Sequence, residues 1–166
     1  NEAQNGRIFA IIGVAGILTQ GILIGPLSRR FGPAKLLPIS CILSGLGLAL
    51  IPYTNADWAL IQLFLVVVLV AVGNGIFQPT SSSLLTTVAK REGANLGVVM
   101  GAQESVSSFA RIIGPLTGGV VWTFTVTRSW PLDYHTAFHL CGIIMFCAAI
   151  LSLKVNRFAE HNLNES

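Results

Sequence analysis

The sequence predicts an all-α integral membrane protein that is built as a single bundle of five transmembrane helices. Hydrophobic residues make up 52% of the 166 residues and charged residues only 10%, whereas a typical soluble domain has about 25% charged residues. The apolar residues gather in five long runs, and about 20 such residues cross a bilayer as a helix. The loops between the runs are too short to form a soluble domain.

The five predicted helices follow one another closely along the chain. They cover residues 8–27, 36–53, 58–89, 96–126 and 135–155. At about 1.5 Å per residue, the third and the fourth helix are longer than a hydrocarbon core of about 30 Å. We therefore expect each of these two helices to tilt, to kink or to extend beyond the membrane.

Basic residues are concentrated on one side of this predicted bundle. That side carries Arg29, Arg30, Lys35, Lys90, Arg91, Lys154 and Arg157. The other side carries only Arg7 and Arg128. Because cytoplasmic loops are enriched in Lys and Arg, the N-terminus is predicted outside and the C-terminus in the cytoplasm, with the bundle in the plasma (inner) membrane.

The sequence lacks the residue patterns of soluble enzymes, of nucleic-acid-binding proteins and of metal sites. It contains no GxxxxGK[ST] loop and no HExxH helix, and no basic cluster interleaved with aromatic residues. His135 and His139 lie four residues apart behind Asp133, but a metal site needs further ligands. A polar helix end at the membrane interface accounts for this pair. We predict no enzyme activity, no cofactor, no metal and no nucleic-acid partner.

The fourth predicted helix has a stripe of small and polar residues along one face. At spacings of three and four residues, the stripe consists of Gly97, Gly101, Glu104, Ser108, Arg111, Pro115 and Gly118. A charge at the centre of a bilayer costs at least about 2.5–3.5 kcal/mol. This face is therefore predicted to meet protein or water. Glu104 and Arg111 either contact a ligand, carry protons or form a gating network, or they have a structural role. The structural alternatives are an ion pair and an Arg111 side chain that extends to the membrane surface.

The third predicted helix carries a second polar patch around Pro79. Its hydroxyl residues, Thr80 to Ser83, are expected to form hydrogen bonds between helices. Asn74 and Gln78 either form such bonds or line a cavity that binds a substrate. The candidates for a substrate or proton pathway are Asn74, Gln78, Gln103, Glu104 and Arg111.

The stretch GPLSRRFGPAK, residues 25–35, resembles a loop motif of the major facilitator superfamily, G-x-x-x-D-R-x-G-R-[KR], in its copy between helices 8 and 9. Gly25, Arg30 and Gly32 match this motif. Arg29 stands where the family usually has an acidic residue, and two basic positions are replaced by Pro33 and Ala34. The resemblance implies that this loop motif braces a cytoplasmic gate.

The fourth helix resembles the antiporter motif of the same family, G-x8-G-x3-G-P-x2-G-G. The corresponding residues are Gly101, Ala110, Gly114, Pro115, Gly118 and Gly119, and only Ala110 departs from the motif. The resemblance implies that these residues let the helix bend and pack closely. The order of segments is similar to helices 8 to 12 of drug:proton antiporters related to tetracycline efflux, which is the C-terminal half of a major facilitator fold without its first helix.

The resemblance leaves two functions open, because such transporters have twelve helices in two halves. The first is the C-terminal portion of a secondary active transporter that exports a small organic molecule, coupled to protons, as in multidrug resistance. Its partners would be the lipid bilayer, the N-terminal helices and the small-molecule substrate. The alternative is a truncated, transporter-derived structural subunit that docks on a larger membrane complex without transport activity. The chain begins without Met and without a signal peptide, so we expect a partial chain.

Overall fold

The structure, a computed structural model, describes residues 6, 10, 13, 14, 16–54, 59–127 and 133–164. Within these ranges the chain is helical and contains no strand. The four long helices are α1 (Ile24–Leu50), α2 (Ala59–Arg91), α3 (Leu96–Thr125) and α4 (His135–Asn164). A π-helical turn, Thr19–Leu23, runs directly into α1, and a 3₁₀ turn, Ile51–Tyr53, follows it.

Three of the described helices are long and apolar enough to cross a membrane. These candidate spans are Ile24–Tyr53, Ile61–Arg91 and His135–Lys154. α3 has a similar length of 30 residues, but its serines, glycines and two charges lower its mean hydropathy. The first predicted helix, 8–27, is helical at the residues that the structure describes there, which are 10, 13, 14 and 16–27. The five-helix membrane topology stays a prediction.

The boundary between the first and the second predicted helix is a kink in place of a loop. We predicted a connecting loop over residues 28–35, but α1 continues through this region and is interrupted at Gly32, with φ 72° and ψ 156°. Glycine adopts this backbone conformation without a steric penalty. Pro33 then starts the next helical turn, where an amide hydrogen is not needed. The Gly-Pro pair thus joins two helix ends directly.

The ends of the other helices follow local signals. Asn95 caps α3, because its side-chain oxygen accepts hydrogen bonds from the backbone amides of Gly97 at 2.9 Å and Val98 at 3.4 Å. α4 continues nine residues past the predicted end at 155, to Asn164. The sequence from Lys154 to Asn164 contains no glycine or proline that would end the helix.

α1 lies at the centre of the packing and contacts both α2 and α4, and its buried residues all follow the kink, from Leu36 to Gly47. Small residues make both crossings close. A Cβ atom added to Gly73 of α2 would lie 2.8 Å from the backbone nitrogen of Ser44, and one added to Gly45 would lie 3.1 Å from the Cβ of Met145 in α4. Backbones approach this closely only where side chains are absent or small, which is typical of helix pairs in membranes.

α3 packs differently, because it contacts its neighbours near its two ends. Near its start, Gln103 contacts Ser82 of α2, and near its other end the Trp122 ring meets Phe138 of α4 edge-on at 6.2 Å. Every residue from Glu104 to Val120 except Ser107 is exposed. Both the polar stripe and the apolar face of α3 are therefore uncovered in the described part of the chain.

Candidate functional site

A cavity of about 410 Å³ lies between the segment that contains the π-helical turn and α2. Its lining residues are Gly16, Gln20, Ile51, Val67, Val70, Ala71, Asn74, Gly75 and Gln78. Sites for small organic molecules have volumes of about 300–1,000 Å³ and are mostly apolar, with a few polar groups. The size and the composition of this cavity match such a site.

The lining residues of α2 occupy one face of that helix. Val67, Ala71, Asn74 and Gln78 recur at intervals of three or four residues, which places them on one stripe. Gln20 comes from the π-helical turn, and such turns are rare and are often found at functional sites. The two walls therefore come from segments that are separated by the whole of α1.

Three carboxamide side chains face this cavity: Gln20, Asn74 and Gln78. None of them forms a hydrogen bond with another described side chain, and all three residues are exposed. Each carboxamide offers two N–H donors and one oxygen acceptor. Next to an apolar wall, such groups need water or a ligand as a partner. The arrangement is suited to binding, and no described lining residue is an acid, a base or a nucleophile.

Gln20 was missed by the sequence analysis, although the sequence contains a signal for it. It is an isolated carboxamide in the apolar run 8–27, whereas Asn74 was identified as a member of the polar patch around Pro79. The proximity of Gln20 to α2 depends on how the chain turns back at the kink, which the apolar pattern does not show.

The other candidates for a substrate or proton pathway lie on α3, away from the cavity lining. The Gln103 side-chain nitrogen donates a hydrogen bond to the Ser82 hydroxyl at 3.1 Å, while its oxygen is buried without a partner among the described residues. Glu104 and Arg111 are exposed, and neither forms an ion pair within the described ranges. The structure brings Asn74 and Gln78 together and leaves the three α3 residues apart from them.

The two motifs that carry the family resemblance are both on the surface of the described chain. In the loop motif, Gly25, Arg29 and Arg30 are exposed, and the Arg30 guanidinium lies 5.6 Å from the centre of the Phe31 ring. In the antiporter motif, a Cβ atom added to any of the glycines would meet no atom of this chain within 4 Å. Those glycines are Gly101, Gly114, Gly118 and Gly119. The roles in gating, bending and packing stay predictions.

The histidine pair at the start of α4 is held by protein groups. Asp133 accepts hydrogen bonds from the backbone amide of His135 at 3.1 Å and from its Nδ1 at 2.8 Å, so it caps α4. The Tyr53 hydroxyl and His139 Nε2 are 3.0 Å apart and share a hydrogen bond. Among the described residues, no group of three or more metal-binding side chains is found.

Comparison with known proteins decides the family. The family model described as Major Facilitator Superfamily matches residues 1–166 of this chain. The chain belongs to the Major Facilitator Superfamily. This confirms the resemblance inferred from the loop and antiporter motifs, and it confirms the all-α membrane fold class. As a member of this superfamily, with three described helices that are long and apolar enough to span a bilayer, the chain is an integral membrane protein.

The relatives of this major facilitator chain include proteins named for drug resistance. It is 27% identical over 135 residues to Multidrug resistance protein 1 of Bacillus subtilis (strain 168), and this match covers 81% of this chain and 33% of that relative. It is 28% identical over 145 residues to Multidrug resistance protein MdtG of Salmonella heidelberg (strain SL476), and this match covers 87% of this chain and 33% of that relative.

A third relative is the class G tetracycline resistance protein of Vibrio anguillarum, 27% identical over 116 residues, covering 70% of this chain and 28% of that protein. The chain thus spans about a third of the length of the curated relatives that it matches. No solved structure matches it.

Proposed function

We propose that this chain forms the C-terminal portion of a secondary active transporter that exports a small organic molecule in exchange for protons. The observation that carries this proposal is the cavity of about 410 Å³, in which three carboxamides without a hydrogen-bond partner among the described residues face an apolar wall. Three relatives bear names for multidrug or tetracycline resistance, which supports export of a drug-like substrate.

Transport by this chain needs further helices. Transporters of this kind hold their substrate near the middle of the membrane, at the interface between two repeats that rock against each other. We propose that the uncovered face of α3, from Glu104 to Val120, packs against the N-terminal helices of the same transporter in the inner membrane. The partners are then those helices, the lipid bilayer and the substrate. Neither an enzyme activity nor a nucleic-acid partner is part of this proposal.

The proposal is tested by transport into inverted membrane vesicles that contain the complete protein. An imposed proton gradient is expected to drive uptake of tetracycline, or of a lipophilic dye such as aminoanthracene, into these vesicles. Gln78→Met and Asn74→Leu keep the side-chain volume but remove one carboxamide each. Each is expected to lower the initial rate at low substrate concentration about 2- to 10-fold, because one neutral hydrogen bond to the substrate changes its affinity by about this factor.

Thr87→Val on the same helix is the matched control. The Thr87 hydroxyl donates to the backbone oxygen of Ser83 at 2.8 Å and is not part of the cavity lining. This variant is expected to transport like the unchanged protein. Uptake that ignores the proton gradient would argue against proton coupling. Equally fast uptake by Gln78→Met, Asn74→Leu and the control would show that the cavity is not part of the transport path.

A structural subunit is the second candidate, and the uncovered face of α3 favours it, because that face needs a protein partner. In this alternative a transporter-derived subunit docks on a larger membrane complex and transports nothing. The intact mass of the protein purified from its native membrane separates the two candidates. A mass near 17.6 kDa, together with stoichiometric co-purification of another membrane complex, would support the subunit.

A further inference from the structure

The wall that α2 contributes to the cavity changes character along the helix. Val67, Val70 and Ala71 form its first part, and Asn74 and Gln78 form its second part. Gln78 comes eleven residues after Val67, which corresponds to about 16 Å along the helix axis at about 1.5 Å per residue. The cavity is therefore apolar at one end of this wall and hydrogen-bonding at the other.

The apolar end of the cavity also includes Ile51. A Cβ atom added to Gly47 would lie 3.1 Å from the backbone nitrogen of Val70 and 3.4 Å from the backbone oxygen of Val66. Ile51 follows Gly47 by one helical turn in the direction away from the kink. It therefore lies beside the first part of the α2 wall, at the Val67 end.

Gln20, the third carboxamide of the lining, lies near the hydrogen-bonding end of the cavity. Gln20 and Ser44 are equally far from the kink at Gly32 along the chain, in opposite directions. The segments on both sides of the kink contribute to the cavity, so the chain turns back there. Ser44 contacts Gly73, which is the neighbour of Asn74. Gln20 and Asn74 therefore lie at about the same level of the cavity.

The charge of the lining restricts the chemistry of an occupant. No described lining residue carries a charge. Carboxamides bind hydroxyl, amine, amide and carbonyl groups, but they provide no counter-ion. An ionised group that left water for this cavity would lose hydration without gaining an opposite charge from these residues. An uncharged molecule with one polar end fits them best.

We propose that the cavity binds an uncharged amphipathic molecule in one orientation, with its hydrogen-bonding end between Gln20, Asn74 and Gln78 and its apolar end between Ile51 and Val67. This inference rests on the proposed function, in which the cavity holds the transported solute. In the predicted topology, α2 ends at Arg91 on the cytoplasmic side. The polar end of the solute then points toward the cytoplasm.

The test is a set of three fluorescent probes that share a flat aromatic body. Aminoanthracene with its amine at one end of the ring system is uncharged at neutral pH and has one hydrogen-bonding end. Anthracene lacks that group, and ethidium is a permanent cation. For the complete protein in nanodiscs, saturable binding of aminoanthracene is expected to be about 2- to 10-fold tighter than that of anthracene, the value of one neutral hydrogen bond. Ethidium is expected to bind more weakly than aminoanthracene.

Variants at the two ends of the cavity test the orientation. Gln78→Met and Asn74→Leu are each expected to shrink the preference for aminoanthracene over anthracene. Val67→Thr keeps the side-chain shape but adds a hydroxyl at the apolar end, so it is expected to weaken binding of aminoanthracene and anthracene alike and to leave the ratio of their affinities unchanged. A preference that responds to Val67→Thr and ignores both carboxamide variants would overturn the proposed orientation.

The remaining outcomes separate this inference from the proposed function. Tighter binding of ethidium than of aminoanthracene would overturn the uncharged class. Saturable binding without any preference for the amine would overturn this inference and leave a solute cavity in place. Failure of all three probes to bind saturably, with the helical circular dichroism unchanged, would overturn both the inference and the proposed role of the cavity.

Discussion

Gly73→Ala is expected to destabilise the contact between α1 and α2, and the structure sets the size of the effect. The added Cβ would lie 2.8 Å from the backbone nitrogen of Ser44 and 3.1 Å from the backbone oxygen of Ser40, and it would overlap the Ser44 hydroxyl. Two of these three groups belong to the backbone of α1. A change of rotamer therefore cannot relieve the contact, and the two helices must move apart.

Two opposing contributions decide the result of this substitution. Overpacking in a tight contact typically costs about 1–3 kcal/mol, while replacing glycine by alanine inside a helix stabilises it by about 0.5–1 kcal/mol. Separating the helices also loosens the contact of Gly47 with Val70, where an added Cβ would lie only 3.1 Å from the Val70 backbone nitrogen. The net expectation is a loss of about 1–2 kcal/mol in the free energy of unfolding.

The assay is reversible unfolding of the 166-residue chain in detergent micelles, followed by helical circular dichroism during titration with a denaturing detergent. Gly101→Ala on α3 is the matched control, because its added Cβ meets no atom of this chain within 4 Å. This control is expected to gain up to about 1 kcal/mol from helix propensity. If Gly73→Ala proved as stable as this control, the close packing of α1 on α2 would be refuted.

Two further predictions concern the kink and the charged face of α3. Gly32→Ala places a side chain at φ 72° and ψ 156°, a backbone region that is essentially restricted to glycine. The chain is therefore expected to lose about 1–3 kcal/mol in the free energy of unfolding. A variant as stable as the parent in the same titration would contradict the kinked conformation at Gly32. Glu104→Gln in the complete protein is expected to abolish or shift the pH dependence of export, measured as probe uptake into inverted vesicles at several imposed pH gradients. Unchanged proton-coupled flux would exclude Glu104 from proton coupling.

Helix boundaries that depend on short-range chemistry were predictable from the sequence. The third and fourth helices, predicted at 58–89 and 96–126, lie at Ala59–Arg91 and Leu96–Thr125. Between them, Gly93 adopts φ 64° and Asn95 caps the next helix. Such signals act within one helical turn, so the residues themselves contain them.

The connection at residues 28–35 could not be predicted from the sequence in the same way. A Gly-Pro pair among basic residues is typical of a loop, but it also suits two helices that meet at one kinked residue. Which of these forms depends on how the flanking helices pack, because their contacts determine whether the chain turns within one residue. α1 packs closely on α2 and α4 through Gly45, Gly73 and their neighbours, and its helical structure resumes directly after the kink.

The sequence by itself determined that this is a helical membrane protein, and it placed Asn74 and Gln78 on one face of α2, because composition and a spacing of four residues act locally. Only the tertiary structure decided that Gln20 joins them in one cavity and that Ser82 is the partner of Gln103. Both facts depend on segments that are distant along the chain. The physical reason is that periodicity defines the face of a helix, whereas packing defines what that face meets.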